Sequence, residues 1–285
     1  MGATHPMSGM DAFAPAEIAD LVETRGVAKA SAPTVTTFVL GVLAGAFIGL
    51  GAVLSTTIAS GSALGYGPTR WLAGLGFSLG LIIVVVAGAE LFTGNNLIVM
   101  SAISRHITAA QLMRNWTIVY VGNLVGALSI VVMVYVGEWW KAGEGVVGAA
   151  AIGTAAAKTS LPFGVVFVRG ILANALVCLA VWLATGGRTV LDKIAAIIFP
   201  ISAFVAAGFE HSVANMYFIP EGILLRGHVE LARAAELAPA QLAHLDVAGF
   251  LRNLAAATLG NIVGGAVLVG IVYWFVYLRP EREVR

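Results

Sequence analysis

The chain has 285 residues, of which 59% are hydrophobic and 11% charged, and it carries 34 glycines. A domain with a water-facing surface is about a quarter charged, so this composition excludes one and calls for an all-α integral membrane protein. Lys and Arg number 16 against 15 Asp and Glu, and Cys178 is the single cysteine. A nucleic-acid binder, which needs a basic excess, a disulfide framework and a Cys-rich zinc site are therefore excluded.

Residues 1–33 form an N-terminal segment. Positions 1–28 lack an apolar core behind a basic start, so no signal peptide is expected. Pro15 suits the first position of a short amphipathic helix in which Ile18, Leu21 and Val22 share one face. Such a helix lies against the membrane or plugs a pore mouth. The spans occupy 34–279, and 280–285 is a tail. Residues 35–59, 71–89, 115–137 and 254–278 hold no charge, and 159–185 is interrupted by Arg169 alone. A bilayer core needs about 20 apolar residues of helix, which makes five spans. One more is broken: 194–209 runs into Glu210 and His211 before the apolar stretch 212–220. The run 71–89 behaves likewise, meeting Glu90-Leu91-Phe92-Thr93-Gly94-Asn95-Asn96 before apolar 97–103. The count is six spans, with the second and fifth interrupted.

With an even count both termini share a side. That side holds Arg25, Lys29, Arg105, Arg114, Arg188, Lys193, Arg279, Arg282 and Arg285; the other holds Arg70, Lys141, Lys158, Arg226, Arg233 and Arg252. The excess on the first places both termini in the cytoplasm.

Gly122-Asn123-Leu124-Val125-Gly126 in span three matches Gly260-Asn261-Ile262-Val263-Gly264 in span six, and Glu90 and Glu210 mark the two breaks. Three spans per copy is odd, so the copies run in opposite senses as an inverted 3+3 repeat. Paired broken helices in such a repeat point to a midplane transport site. The motif glycines are read as helix-packing positions. A non-helical backbone is tolerated in lipid only inside protein or beside a cavity, so both breaks face inward, where half-helix N-termini suit a small anion. Thr93 adds a hydroxyl. Glu90 and Glu210 are expected to be structural, accepting hydrogen bonds from the broken backbone. His211 is the one histidine within the membrane runs; His5, His106, His228 and His244 fall in tails or loops. An imidazole titrates near neutrality and can share a proton with a passing weak acid. Lys158, just before span four, is either an interfacial lysine with its amine in water or a vestibule charge that concentrates anions. Arg169 must avoid lipid and is expected at a contact between helices or subunits. Asn174 offers a polar lining group, and Cys178 is a small core residue.

Four stretches carry a family resemblance: Glu90-Leu91-Phe92-Thr93-Gly94; Gly122-Asn123-Leu124-Val125-Gly126; Gly170-Ile171-Leu172-Ala173-Asn174 with Cys178-Leu179-Ala180-Val181-Trp182; and Gly208-Phe209-Glu210-His211-Ser212-Val213-Ala214-Asn215-Met216. From about Pro15 to Arg279 the sequence resembles the formate/nitrite transporter family, with Phe218-Ile219-Pro220 and Pro239-Ala240-Gln241-Leu242-Ala243-His244-Leu245 leaning towards the formate channel branch. The resemblance implies an aquaporin-like fold and a homopentamer in a bacterial-type plasma (inner) membrane, with one pore in each protomer. It implies proton-linked movement of formate or a similar small anion, no cofactor or metal, and no nucleic-acid partner. It makes His211 the central pore histidine, Thr93 its partner, Lys158 and Asn174 the vestibule pair, and Phe77, Leu81, Leu91, Phe92 and Phe204 two apolar constrictions. Arg169 departs from the branch, which tends to be apolar there, as does Gly94-Asn95-Asn96 after the threonine. A nitrite or hydrosulfide transporter shares the same site logic. An aquaporin would need Asn-Pro-Ala at the breaks, which this chain lacks. A membrane enzyme would need a paired acid and base or a metal cluster, for which one histidine with two structural glutamates is a poor match.

Overall fold

The computed structural model describes residues 12–279 and is helical in all its regular elements. The tail expected at 280–285 and residues 1–11 of the N-terminal segment lie outside the described residues. Helix α1 (Pro15–Ser31) opens on Pro15, and Glu17 accepts the Ala14 amide at 2.7 Å, closing the first turn. Its buried face carries Ile18, Ala19 and Val22, with Leu21 half-buried. That face packs on Leu97, Met100 and Trp182. The helix thus docks on protein, where the apolar stripe finds partners that the membrane surface would otherwise supply.

Among the described residues, five helices are long and apolar enough to cross a membrane: α2 (Thr34–Ala59), α3 (Tyr66–Ala87), α5 (Ala109–Val136), α7 (Phe163–Gly186) and the continuous helix Val247–Tyr277. The last consists of α12 (Val247–Ile262), a π-helical stretch (Val263–Ile271) and α13 (Val272–Tyr277). Helix α2 shows how such a helix divides its surface. Gly41, Ala44, Gly45, Ile48 and Ala52 are buried, while Val39, Leu43, Leu50 and Leu54 form an exposed stripe suited to lipid. The small residues on the buried stripe let α5 come close. A Cβ on Gly45 or Gly126 would collide with the carbonyls of Asn123 and Val42. The same happens between α7 and the last helix, where a Cβ on Gly260 or Gly264 would strike the Phe167 and Ile171 carbonyls.

The two breaks are built alike. Helix α3 stops at Gly88 with φ +84°, and the chain runs irregularly to a 3-10 turn (Gly94–Ile98) and α4 (Val99–Ile103). Helix α8 (Val190–Ala206) starts where the Thr189 hydroxyl accepts the Asp192 amide, and it runs out to Gly208 at φ +72°. The chain resumes as α9 (Ser212–Leu225). Both stops use a left-handed residue that glycine adopts without steric cost.

Three helices were not foreseen. Helix α6 (Val146–Ser160) is rich in alanine and glycine, too short to span, and packs along α9 with Ala155 facing Gly222. The short α10 (Val229–Ala234) and α11 (Pro239–Ala243) lie between α9 and α12.

Candidate functional site

The breaks leave backbone groups without helical partners, and two asparagines satisfy them. Asn123 Nδ2 donates to Gly41 O at 2.8 Å and Glu90 O at 2.9 Å, while its Oδ1 accepts the Phe92 amide at 2.9 Å. Asn261 repeats the pattern: Nδ2 donates to Gly170 O at 2.8 Å and Glu210 O at 3.0 Å, and Oδ1 accepts the Ser212 amide at 2.8 Å. Each asparagine is fully buried and spans three segments with one side chain. The amides of Glu90 and Glu210 find Leu40 O at 3.1 Å and Arg169 O at 3.3 Å. The glycines of the Gly-Asn-x-Val-Gly stretches pack the helices, and the asparagine between them holds each break in place.

The sequence led us to expect the glutamate side chains to accept hydrogen bonds from the broken backbone, and they accept them from side chains instead. Backbone donors are already taken by the asparagines, so the carboxylates turn to side chains. Glu210 pairs with Lys158 at 3.0 Å and accepts Asn215 Nδ2 at 2.7 Å. Asn215 Nδ2 also donates to Asn253 Oδ1 at 2.7 Å, and Asn253 Nδ2 returns to the Lys158 carbonyl at 3.0 Å. At the other break Glu90 pairs with Lys29 at 3.1 Å and accepts Asn95 Nδ2 at 2.6 Å. Asn95 Nδ2 donates to Asn115 Oδ1 at 3.0 Å, and Asn115 Nδ2 reaches the Lys29 carbonyl at 3.1 Å. Lys158, without an acidic neighbour in sequence, thus has one in space. Lys29, read only as a side-marking charge, occupies the equivalent corner of the second box. A signal for it existed: Lys29 precedes Gly41 by the same 12 residues that separate Lys158 from Gly170.

Between the boxes, Thr93 and His211 meet. The Thr93 hydroxyl lies 2.9 Å from His211 Nε2, and both residues are buried. His211 is also the residue that caps α9, its Nδ1 accepting the Ala214 amide at 3.0 Å. Asn174 stands behind this pair: its Nδ2 donates to Thr93 O at 3.3 Å, Asn96 Oδ1 at 2.8 Å and Asn261 O at 2.7 Å. Cys178 Sγ reaches the same Thr93 carbonyl at 3.3 Å. Asn174 therefore braces the backbone that presents Thr93.

Two cavities lie near the pair, one lined by Leu91 and Gly94, the neighbours of Phe92 and Thr93 in sequence, and the other by His211 itself. On the α1 side, a cavity of about 310 Å³ is lined by Arg25, Lys29, Lys193, Leu81 and Leu91. On the α6 side, one of about 430 Å³ is lined by Arg70, Lys158, Arg169, Phe77, Phe204 and His211. Each has three basic side chains and, among the described residues, one acid, Glu90 or Glu210. Phe77 and Phe204 meet edge to face at 5.5 Å, and Phe204 stacks on His211 at 5.8 Å. Lys158 Nζ lies 5.6 Å above the Phe218 ring, which stacks on Phe77. Phe92, Thr93 and Asn174 line neither cavity. Phe92 packs against Trp116 and Tyr120. Arg169, expected at a helix or subunit contact, faces the α6-side cavity and donates to Gly208 O at 3.4 Å. Gly170, beside it, is where α7 comes close against α12.

Residues 16–275 match the family model described as formate/nitrite transporter. The chain is 42% identical over 275 residues to the formate channel FocA of Escherichia coli (strain K12), covering 95% of this chain and 96% of that one. It is 39% identical over 282 residues to a probable formate transporter of Methanothermobacter thermautotrophicus, covering 93% and 97%. Among solved structures it is similar to a pentameric formate channel with formate bound, at TM-score 0.78 and 37% identity over 86% of this chain and 98% of that one. An FNT family ion channel aligns at TM-score 0.75 and 28% identity, over 91% and 98%. With matches of this extent, and with its motifs falling on the breaks, boxes and helix contacts described above, the chain belongs to the formate/nitrite transporter family.

Proposed function

We propose that this chain carries small monovalent weak-acid anions, formate first among them, across a membrane, through a path in each protomer that passes between Thr93 and His211. The relatives named as formate channels, and the solved neighbour with formate bound, support the choice of anion. They are channels and transporters, so the activity proposed is passage, with no chemical turnover. The observation that carries the reading is a pair of cavities, each with three basic side chains, one lined by Leu81 and Leu91 and the other by Phe77, Phe204 and the histidine of a buried histidine–threonine hydrogen bond.

Lys29 and Lys158, with the arginines beside them, raise the local anion concentration at each mouth. A bare carboxylate pushed past Leu81 and Leu91, or past Phe77 and Phe204, would lose hydration at a cost of many kcal/mol, and a neutral acid far less. A proton must therefore join the anion near the centre. His211 and Thr93 are the polar groups at that point, and proton sharing there makes flux depend on pH. The architecture supporting this is six crossings, α8 and α9 together making the fifth, in an inverted 3+3 repeat of aquaporin type. The two matching asparagine and lysine–glutamate sets support that repeat. The assembly is a homopentamer, in keeping with the solved neighbour's description, and both termini face the cytoplasm. Currents recorded on supported membranes with formate, nitrite, acetate and hydrosulfide at several pH values test the substrate order. Formate is expected to lead at every pH; nitrite ahead of formate would replace it as substrate.

A further inference from the structure

Arg70, Lys158 and Arg169 face the α6-side cavity, and Glu210 is the acid opposite them. Lys158 already neutralises Glu210 at 3.0 Å, so the two guanidinium groups are surplus positive charge. Both converge on the turn that ends α8. Arg169 Nη1 donates to Gly208 O at 3.4 Å, and Arg70 Nη2 donates to the Val205 carbonyl. A Cβ on Gly208 would stand 3.7 Å from Arg70 Nη2. Each arginine uses one side-chain donor of five on these carbonyls, and Arg70 Nε is buried without a partner. Capping the carbonyl end of α8 would need one cation; two guanidinium forks beside an ammonium exceed that need.

We propose that Arg70, Arg169 and Lys158 form a binding site for small dianions, sulfate or a short dicarboxylate, at the α6-side mouth, and that a dianion seated there blocks the path. The inference rests on the transport reading above. Guanidinium forks match the paired oxygens of carboxylate and sulfate, and two surplus cations are balanced by two negative charges. A monoanion leaves the site inward because one proton makes it neutral. A dianion that gains one proton is still charged and cannot shed its hydration at Phe77 and Phe204. It binds where formate gathers and goes no further.

The test uses the full chain in oriented liposomes, with formate influx measured while sulfate or oxalate is raised on the α6 face. Chloride holds ionic strength constant, and each variant is scored against its own uninhibited flux. The site predicts saturable inhibition whose inhibition constant rises about tenfold in Arg169→Leu, the loss expected for a hydrogen bond to a charged group. Arg169→Lys, which keeps the charge and loses the fork, falls between. Inhibition no stronger than chloride gives, or an unchanged constant in Arg169→Leu, overturns the proposal. A second measurement covers a variant that fails to fold: thermal unfolding of the native protein in detergent. Sulfate must raise the midpoint above chloride at equal ionic strength; an equal shift overturns the site. Failure of the transport reading is separate, because it appears as absent formate flux before any dianion is added.

Discussion

The Ala214 amide donates to Nδ1 of His211 across 3.0 Å, and that bond settles which ring nitrogen faces Thr93. An Nδ1 that accepts a hydrogen bond carries no proton, so the neutral ring holds its hydrogen on Nε2. Nε2 then donates to the Thr93 hydroxyl at 2.9 Å, and the threonine hydrogen is left to reach an anion in the path. A second proton on the ring would face the Ala214 amide head-on. Proton sharing at His211 therefore requires the ring to leave its cap, which couples the charge of the histidine to the first turn of α9.

Replacing His211 separates these roles. Asn is a good cap and keeps an acceptor for Ala214, so His211→Asn should fold with a near-native unfolding midpoint. It lacks the ring donor, and formate flux in liposomes should fall about tenfold or more, the loss expected for a hydrogen bond to a charged group. The pH profile should flatten as well. Flux and profile like those of the native protein would remove the histidine from the mechanism.

Asn261→Leu strands the carbonyls of Gly170 and Glu210 and the amide of Ser212 in the protein interior. Each orphaned group costs about 1–3 kcal/mol, so thermal unfolding in detergent should drop sharply. Asn123→Leu should act equally, because it strands the matching three groups. A native midpoint for either variant would show that the asparagines do not hold the breaks.

The Lys158–Glu210 pair makes a prediction with two arms. Their side chains are 16% and 3% exposed. Removing one partner of a buried pair costs about 3–5 kcal/mol, and replacing both with apolar or neutral groups is often harmless. Lys158→Met should thus destabilise the protein, and adding Glu210→Gln should restore much of the loss. The double variant should still show a raised KM for formate offered from the α6 face, because the vestibule has lost a cation. Recovery of both stability and KM would confine Lys158 to a structural role.

The long apolar helices and the positions of the two breaks were legible because they follow from charge placement, and the meeting of Thr93 with His211 was legible through the family resemblance. A run without charges is a span, and a glutamate in the middle of one needs an inward-facing reason. The lysine–glutamate boxes were not legible in the same way. Asn115, Asn253 and Lys29 look like ordinary residues near span ends, and their joint role depends on contacts 20 to 95 positions apart. The fixed offset of each lysine from its glycine was present in the sequence, inside a Lys-x-Ser-x-Pro-x-x-x-x-Phe-Val-x-Gly pattern shared by 29–41 and 158–170, but nothing in that pattern says that the lysine meets a glutamate. Arg169 makes the contact to another helix end that was expected, but its place in a cavity lining was missed because residues 159–185 alone do not say which side of a helix faces a cavity. Helix α6 escaped notice because its uncharged run, 146–157, is too short to be read as a span.

Gly126→Ala probes the close approach that sets this geometry. The added methyl would meet the Val42 carbonyl, and backbone cannot step aside as a flexible side chain can. Overpacking of this kind costs about 1–3 kcal/mol, and it would push α5 and Asn123 away from the first break. The unfolding midpoint and formate flux should fall together. Normal flux with a normal midpoint would mean that α2 and α5 tolerate separation.

The central claim is that formate crosses each protomer past His211. Uptake of labelled formate into liposomes containing the full chain tests it most directly, measured across a pH series and beside protein-free liposomes. The account predicts protein-dependent, saturable uptake that rises with proton availability and is lost in His211→Phe. Uptake no faster than through the bare lipid, or uptake indifferent to both pH and His211→Phe, would contradict it.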